Sequence, residues 1–150
     1  MNTPIRFSVA GTPKPQPRPR AFARDGRVRV YDPHTAEGWK SAIADAARQH
    51  CPQEPWRGAV AMSLRFEFTR PKGHYRTGRH AGELRDSAPE WHLHKPDCDN
   101  LAKAVLDAMT LFGFWRDDCQ VVSLDVTKCY YPTAGLEVTV TDLARKAFPA

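Results

Sequence analysis

The run Lys95-Pro96-Asp97-Cys98-Asp99-Asn100-Leu101-Ala102-Lys103-Ala104-Val105-Leu106-Asp107-Ala108-Met109-Thr110-Leu111-Phe112-Gly113 carries two patterns on one helix. At about 100° per residue, Leu101, Val105, Ala108 and Phe112 fall in one narrow sector, the apolar stripe of a helix that lies on a core. Asp99, Lys103 and Asp107, each four residues apart, step round by only about 40° and form a polar ridge on the opposite side. The spacing predicts a helix from near Asp99 or Asn100 to about Phe112, with Gly113 as its stop. Pro96 biases Lys95 towards extended backbone, so Asp97 and Asp99 are expected to alternate along an extended segment with their carboxylates on the same side.

Outside this helix the apolar period is mostly two. Val60, Met62, Leu64, Phe66 and Phe68 alternate with Ala61, Ser63, Arg65 and Glu67, which predicts a strand over Ala59 to Phe68. Further strands are read over Ile5 to Ala10, over Gln120 to Tyr130 with Val122, Leu124 and Val126 on one face, and over Gly135 to Thr141. Asp25-Gly26 is a favoured two-residue turn, so Ala21 to Tyr31 reads as a hairpin with one cationic face. Trp39, Ile43 and Ala46/Ala47 recur at helical spacing between Thr35, the expected N-cap, and Pro52. The expected fold is α+β: a small mixed sheet of about four main strands flanked by two helices, one domain over residues 1–150. Residues 71–92, rich in Gly, Arg, His and Pro and without periodicity, are expected to form a mobile loop insertion.

A chain of 150 residues with 41% apolar and 26% charged residues is globular in composition. No apolar run reaches the length of a membrane span, and Met1 to Ala10 lacks a signal-peptide core, so a cytoplasmic protein is expected. Cys51, Cys98, Cys119 and Cys129 form no C-x-x-C pair and read as reduced thiols.

The net charge of +5 is unevenly placed. Lys14, Arg18, Arg20, Arg24, Arg27 and Arg29 face one acid, Asp25, so the N-terminal stretch alone accounts for that surplus. Lys14, Arg18, Arg20, Arg27, Arg29 and Lys95 are the candidate DNA-binding cations. Between Asp97 and Asp118 the balance reverses, with Asp97, Asp99, Asp107, Asp117 and Asp118 against Lys103 and Arg116. Gathered carboxylates repel unless a proton or a hard cation intervenes, and all-oxygen ligation suits Mg²⁺ with Mn²⁺ as the alternative. Two other readings stand beside this one. The aspartates at the helix start serve equally as caps. His92, His94, Cys98 and Cys119 supply donors suited to Zn²⁺, though at none of the usual structural spacings.

Asp97-x-Asp99-Asn100-Leu101-x-Lys103, then Asp107-Ala108, then Gly113-Phe114-Trp115-x-Asp117-Asp118-x-Gln120-Val121-Val122 resembles the RusA family of Holliday junction resolvases of bacteria, phages and prophages. The resemblance is close over 96–128 and looser over the N-terminal strand, the Pro/Arg segment and Tyr31-Asp-Pro-His-Thr35. It implies a homodimeric, Mg²⁺-dependent, structure-selective endodeoxyribonuclease that acts in DNA recombination and repair by paired symmetric nicks. By that resemblance Asp97, Asp99 and Asp118 are the metal-binding acids and Lys103 the essential lysine, with Asp117 and Asp107 secondary. Symmetry of a four-way junction favours two active centres in a C₂ dimer; Leu106, Met109 and Leu111, off the core stripe, read first as part of a helix buried on most sides and second as candidates for that interface. A nuclease for flaps or forks and a non-catalytic DNA-binding module are the alternatives.

Overall fold

The computed structural model describes residues 3–17, 20–31 and 36–143, with the backbone alone at 20, 22 and 29–31. Four strands form the main sheet: β1 (Ile5–Ala10), β4 (Val60–Phe68), β5 (Val121–Tyr130) and β6 (Gly135–Asp142), in the order β1-β6-β4-β5. β6 runs antiparallel to both β1 and β4, whereas β4 and β5 are parallel, so the sheet is mixed as expected. A parallel pair needs a long crossover, and α2 (Cys98–Phe112) lies in the chain between β4 and β5. β2 (Arg20–Arg24) and β3 (Arg27–Tyr31) pair only with each other, as a separate ribbon. Asp25 and Gly26 have φ of 52° and 70°, the left-handed pair that a tight hairpin requires. The register aligns Arg20 with Tyr31, Phe22 with Arg29 and Arg24 with Arg27, which assigns all four arginines to one face of the ribbon.

One side of the main sheet is the core. Val60, Met62, Leu64 and Phe66 of β4, Leu136, Val138 and Val140 of β6, and Phe7 and Val9 of β1 are buried there. α1 (Glu37–Ala47) adds Trp39, Ile43 and Ala47, and α2 adds Leu101, Val105 and Ala108. The α1 start is Ala36, without a side-chain cap; the expected cap, Thr35, lies outside the described residues.

Two expectations need correction, where α2 starts and which way Val122 faces. α2 begins at Cys98 and Asp97 is its N-cap, so Asp99 already stands in the first helical turn and does not alternate with Asp97 along a strand. Met109 is fully buried, because α2 packs against α1 as well as the sheet; Leu106 is partly buried and only Leu111, 85% exposed, is left on the surface. On β5 a register shift opposite Val60/Ala61 puts Val122 out of the alternation and leaves it exposed, whereas Leu124 and Val126 keep the expected face, in register with the buried Met62 and Leu64; Val121 and Val126 pack against the core, and Leu124 is 43% exposed because β5 is an edge strand. Residues 71–92 are a folded excursion with two single-turn 3-10 helices and a Tyr75–Leu84 bridge. The excursion is held by Arg85 Nε to Tyr75 O at 2.9 Å and by Arg70, which donates to Pro89 O. Its end covers part of the outer edge of β5, through the Trp91–Cys129 bridge, His92 N to Lys128 O and Tyr130 N to Glu90 O.

On the other side of the sheet Glu67 is only 4% exposed, with Arg65 as an ion-pair partner at 3.5 Å. Burial raises its carboxyl above the ordinary value, and the Arg65 charge opposes that rise. The folded state therefore binds this proton more tightly than the unfolded chain does. The sign follows: the contribution to stability is greatest at low pH and is lost as pH rises above 4.5 through the raised folded value. Glu67→Gln is expected to raise the thermal midpoint at neutral pH, with the gain vanishing in acid; melts across the pH range check it.

Candidate active site

Asp97 ends an extended approach and Cys98 opens the helix, which puts both Asp97 and Asp99 at the positive end of α2. The Asp97 carboxylate makes no capping hydrogen bond, so capping does not account for it. The approach itself is held from β5: Lys128 Nζ donates to His94 O at 2.7 Å and to Pro96 O at 2.8 Å, across a cis Lys95–Pro96 peptide. The Pro-rich arm closes the other side, with Gln16 N donating to Asn100 O at 2.9 Å.

The ridge along α2 is present as its spacing implied. Lys103 Nζ lies 3.0 Å from Asp107 Oδ1, one turn on, and 3.3 Å from Asp118 Oδ2. The hydrogen bond to Asp107 is the main cause that raises the Lys103 ammonium above the usual lysine value; burial opposes it, and the charge of Asp107 and the hydrogen bond to Asp118 add smaller raising effects. Asp118 reaches this place because the chain reverses tightly after α2. Gly113, at φ 96°, takes the left-handed conformation that ends the helix, and its N–H and that of Phe114 return to Met109 O. Trp115, fully buried, donates from Nε1 to Thr110 Oγ1 at 2.8 Å, and Thr110 in turn donates to Leu106 O at 2.7 Å.

The next turn hangs on Gln120. Its Oε1 accepts from Arg116 N at 2.9 Å and Asp117 N at 3.1 Å, while its Nε2 donates to Trp56 O at 2.8 Å and Gly58 O at 2.9 Å. Asp117 completes this capping box by accepting from Cys119 N at 2.8 Å, which holds its carboxyl below the usual carboxylate range. The adjacent aspartates are thus divided: Asp117 holds the turn and Asp118 faces Lys103. Sequence reasoning misses this role of Gln120; its place three residues after Asp117 is the signal that could have found it.

Among the described residues no three His, Cys, Asp or Glu side chains converge as a ready-made metal cluster. The donor set still fits a hard cation. Asp97 and Asp99 are exposed carboxylates at one helix end, Asp118 is shared with an exposed lysine, and Mg²⁺ is commonly held by one or two carboxylates with water and substrate phosphate filling the rest. The Zn²⁺ alternative has less to support it. His92 is stacked on Phe68 at 4.0 Å between ring centroids, and its ring stands 6.1 Å from that of His94.

The candidate DNA-binding cations divide by element. Lys14 and Lys95 are exposed and line one cavity beside Asp97. Arg27 is on the ribbon, Arg20 and Arg29 share its register face, and Arg18 lies outside the described residues.

The family model for endodeoxyribonuclease RusA matches residues 10–141. The protein YqaN of Bacillus subtilis (strain 168) is 33% identical over 143 residues, covering 93% of this chain and 97% of that protein. The crossover junction endodeoxyribonucleases RusA of Escherichia coli (strain K12) and of Enterobacteria phage 82 are each 47% identical over 51 residues, a third of this chain and 42% of theirs. With the family model matched across the arm, α1, the Asp97–Asp118 centre, β4, β5 and nearly all of β6, though only the last residue of β1, the chain belongs to the RusA family of endodeoxyribonucleases.

Proposed function

We propose that the chain is a Mg²⁺-dependent, structure-selective endodeoxyribonuclease that resolves four-way DNA junctions by paired symmetric nicks. The observation that carries the reading is the ammonium of Lys103, held between Asp107 and Asp118 on the helix ridge that begins with Asp99. Asp97, Asp99 and Asp118 are the residues that would hold Mg²⁺. Bound there, the metal supplies Lewis-acid stabilisation of the phosphate and a water of lowered pKa. Lys103 donates to a non-bridging phosphate oxygen and offsets the charge that develops on it. Asp107 keeps that ammonium protonated and aimed. Without a cation this acidic centre repels the backbone that the N-terminal arm attracts, so cutting depends on the metal.

The exposed Leu111 and the uncovered part of the β5 edge are the surfaces that a second copy would cover in a C₂ homodimer, which supplies the two centres that opposed nicks need. Sedimentation should then give twice the monomer mass of 16.9 kDa. The activity itself is tested by comparing cleavage of four-way, three-way, flap and linear duplex DNA with added Mg²⁺. Preferential, paired nicking of the four-way substrate is expected; preference for flaps, or binding without cutting, would remove the assignment.

The arm's role has its own test. Arg18→Ala with Arg20→Ala should reduce the slope of log K against log salt by about 1–2, roughly one for each phosphate that is no longer neutralised. An unchanged slope would put the arm outside the DNA footprint.

A further inference from the structure

A cavity of about 500 Å³ opens directly beside Asp97, between the Pro-rich arm and the strand-to-helix approach. That volume is in the range of small-molecule sites, roughly 300–1,000 Å³. Part of its wall is flat and apolar: Pro13 and Pro15 from the arm, Pro96 from the approach, and the rings of Phe68 and His92. Those two rings are stacked at 4.0 Å with planes 19° apart. Lys14 and Lys95, both exposed, also line the cavity. The walls are tied in place by Gln16 N to Asn100 O and by the two Lys128 hydrogen bonds, so the space is formed before anything enters it.

Each feature matches a part of one nucleotide. Planar aromatic and proline surfaces accept a base face, and lysines accept its flanking phosphates. We propose that this cavity receives one unstacked nucleobase of the cleaved strand, close to the phosphate at Asp97, with His92 as the stacking residue. The proposal rests on the nuclease reading for which strand is bound, and it assigns to the cavity a positioning role: a base anchored here fixes the phosphate next to it. Branch points supply such a base at low cost, because pairing and stacking are already broken there.

The test places an abasic residue, in turn, at each of the three nucleotides on either side of the nick in a four-way junction. At one position wild-type cleavage should fall about tenfold or more, the loss of one base–aromatic stack. His92→Ala should be slower by a similar factor on the intact junction and indifferent to the abasic residue. Equal abasic losses in wild type and His92→Ala, or no sensitive position in wild type, would overturn the proposal. His92→Phe guards against a folding defect: it keeps a stacking ring, so it should recover the intact-junction rate and the abasic sensitivity, and failure of both in a protein with a normal melting curve counts against the cavity. If the wild type nicks no DNA at all, the nuclease reading has failed and the cavity is tested separately. A short single strand containing 2-aminopurine, titrated in Ca²⁺ buffer, should then be quenched by wild type and not by His92→Ala; absence of quenching by wild type rejects it.

Discussion

Lys103→Ala should reduce junction cleavage by about 10²–10³-fold, the range found when a group that stabilises developing charge is removed, while junction affinity changes little. Two effects combine. The ammonium that meets the phosphate is gone, and Asp107 and Asp118, which it held at 3.0 and 3.3 Å, are left facing each other without a cation. Lys103→Arg should recover only part of the loss, because a planar fork does not replace a compact point charge between two carboxylates. Single-turnover cleavage with saturating protein separates this from weakened binding, and near-normal cutting by Lys103→Ala would dismiss the assigned role. The pH dependence has a definite sign. Because the folded-state pKa is raised, the charge and its stabilising effect are fully present below the ordinary lysine value of 10.5 and are lost only as pH rises beyond it. Any inflection in the rate near neutral pH therefore belongs to another group. Asp99→Asn and Asp118→Asn should match Lys103→Ala in severity, whereas Asp117→Asn should cost far less, since its carboxylate is engaged with Cys119 N.

Gln120→Ala is expected to lower stability by about 2–4 kcal/mol, a large value for a residue that touches no substrate. One amide satisfies two N–H groups, of Arg116 and Asp117, and two carbonyls, of Trp56 and Gly58. Alanine leaves all four to water or to nothing, and frees the turn that presents Asp118. Cleavage should fall with it even where the protein is fully folded. Gln120→Glu is the informative companion: it keeps the two N–H bonds but sets a carboxylate against the Trp56 and Gly58 carbonyls, so it should lose stability as pH rises through the carboxylate range. Urea titrations of the three proteins check both statements, and a Gln120→Ala protein as stable and active as wild type would contradict them.

The helix ridge is legible in the sequence because it is a local object. Asp99, Lys103 and Asp107 are neighbours through helical spacing alone, and the Lys103–Asp107 pair is present as that spacing implies. The same locality explains the Asp25-Gly26 turn, the arginine face of the ribbon and the core faces of β4 and β6. Legibility stops where a distant segment decides the outcome. On β5 a bulge against β4 sets Val122 out of the alternation, and Leu124, on the core-facing register opposite Met62, stays partly exposed because β5 is an edge strand, so alternation alone reveals neither. The apolar stripe leaves Met109 outside because a stripe describes packing on one neighbour, and α2 has two. Residues 71–92 look structureless as a sequence because their order comes from scattered long-range hydrogen bonds and not from a repeat.

The sequence by itself determined the elements, the segregation of charge into a basic arm and an acidic centre, and the family, since these depend on residues within a few positions of each other or on a long, specific motif. Only the tertiary structure decided which acid meets Lys103, that Gln120 anchors the turn behind Asp118, and that Phe68, His92 and the proline arm enclose a cavity beside Asp97. The physical reason is one of range. Helical and strand periodicity are set by backbone geometry over three or four residues, whereas these interactions join segments tens of residues apart, and which of them meet depends on how the β4–α2–β5 crossover closes over the sheet.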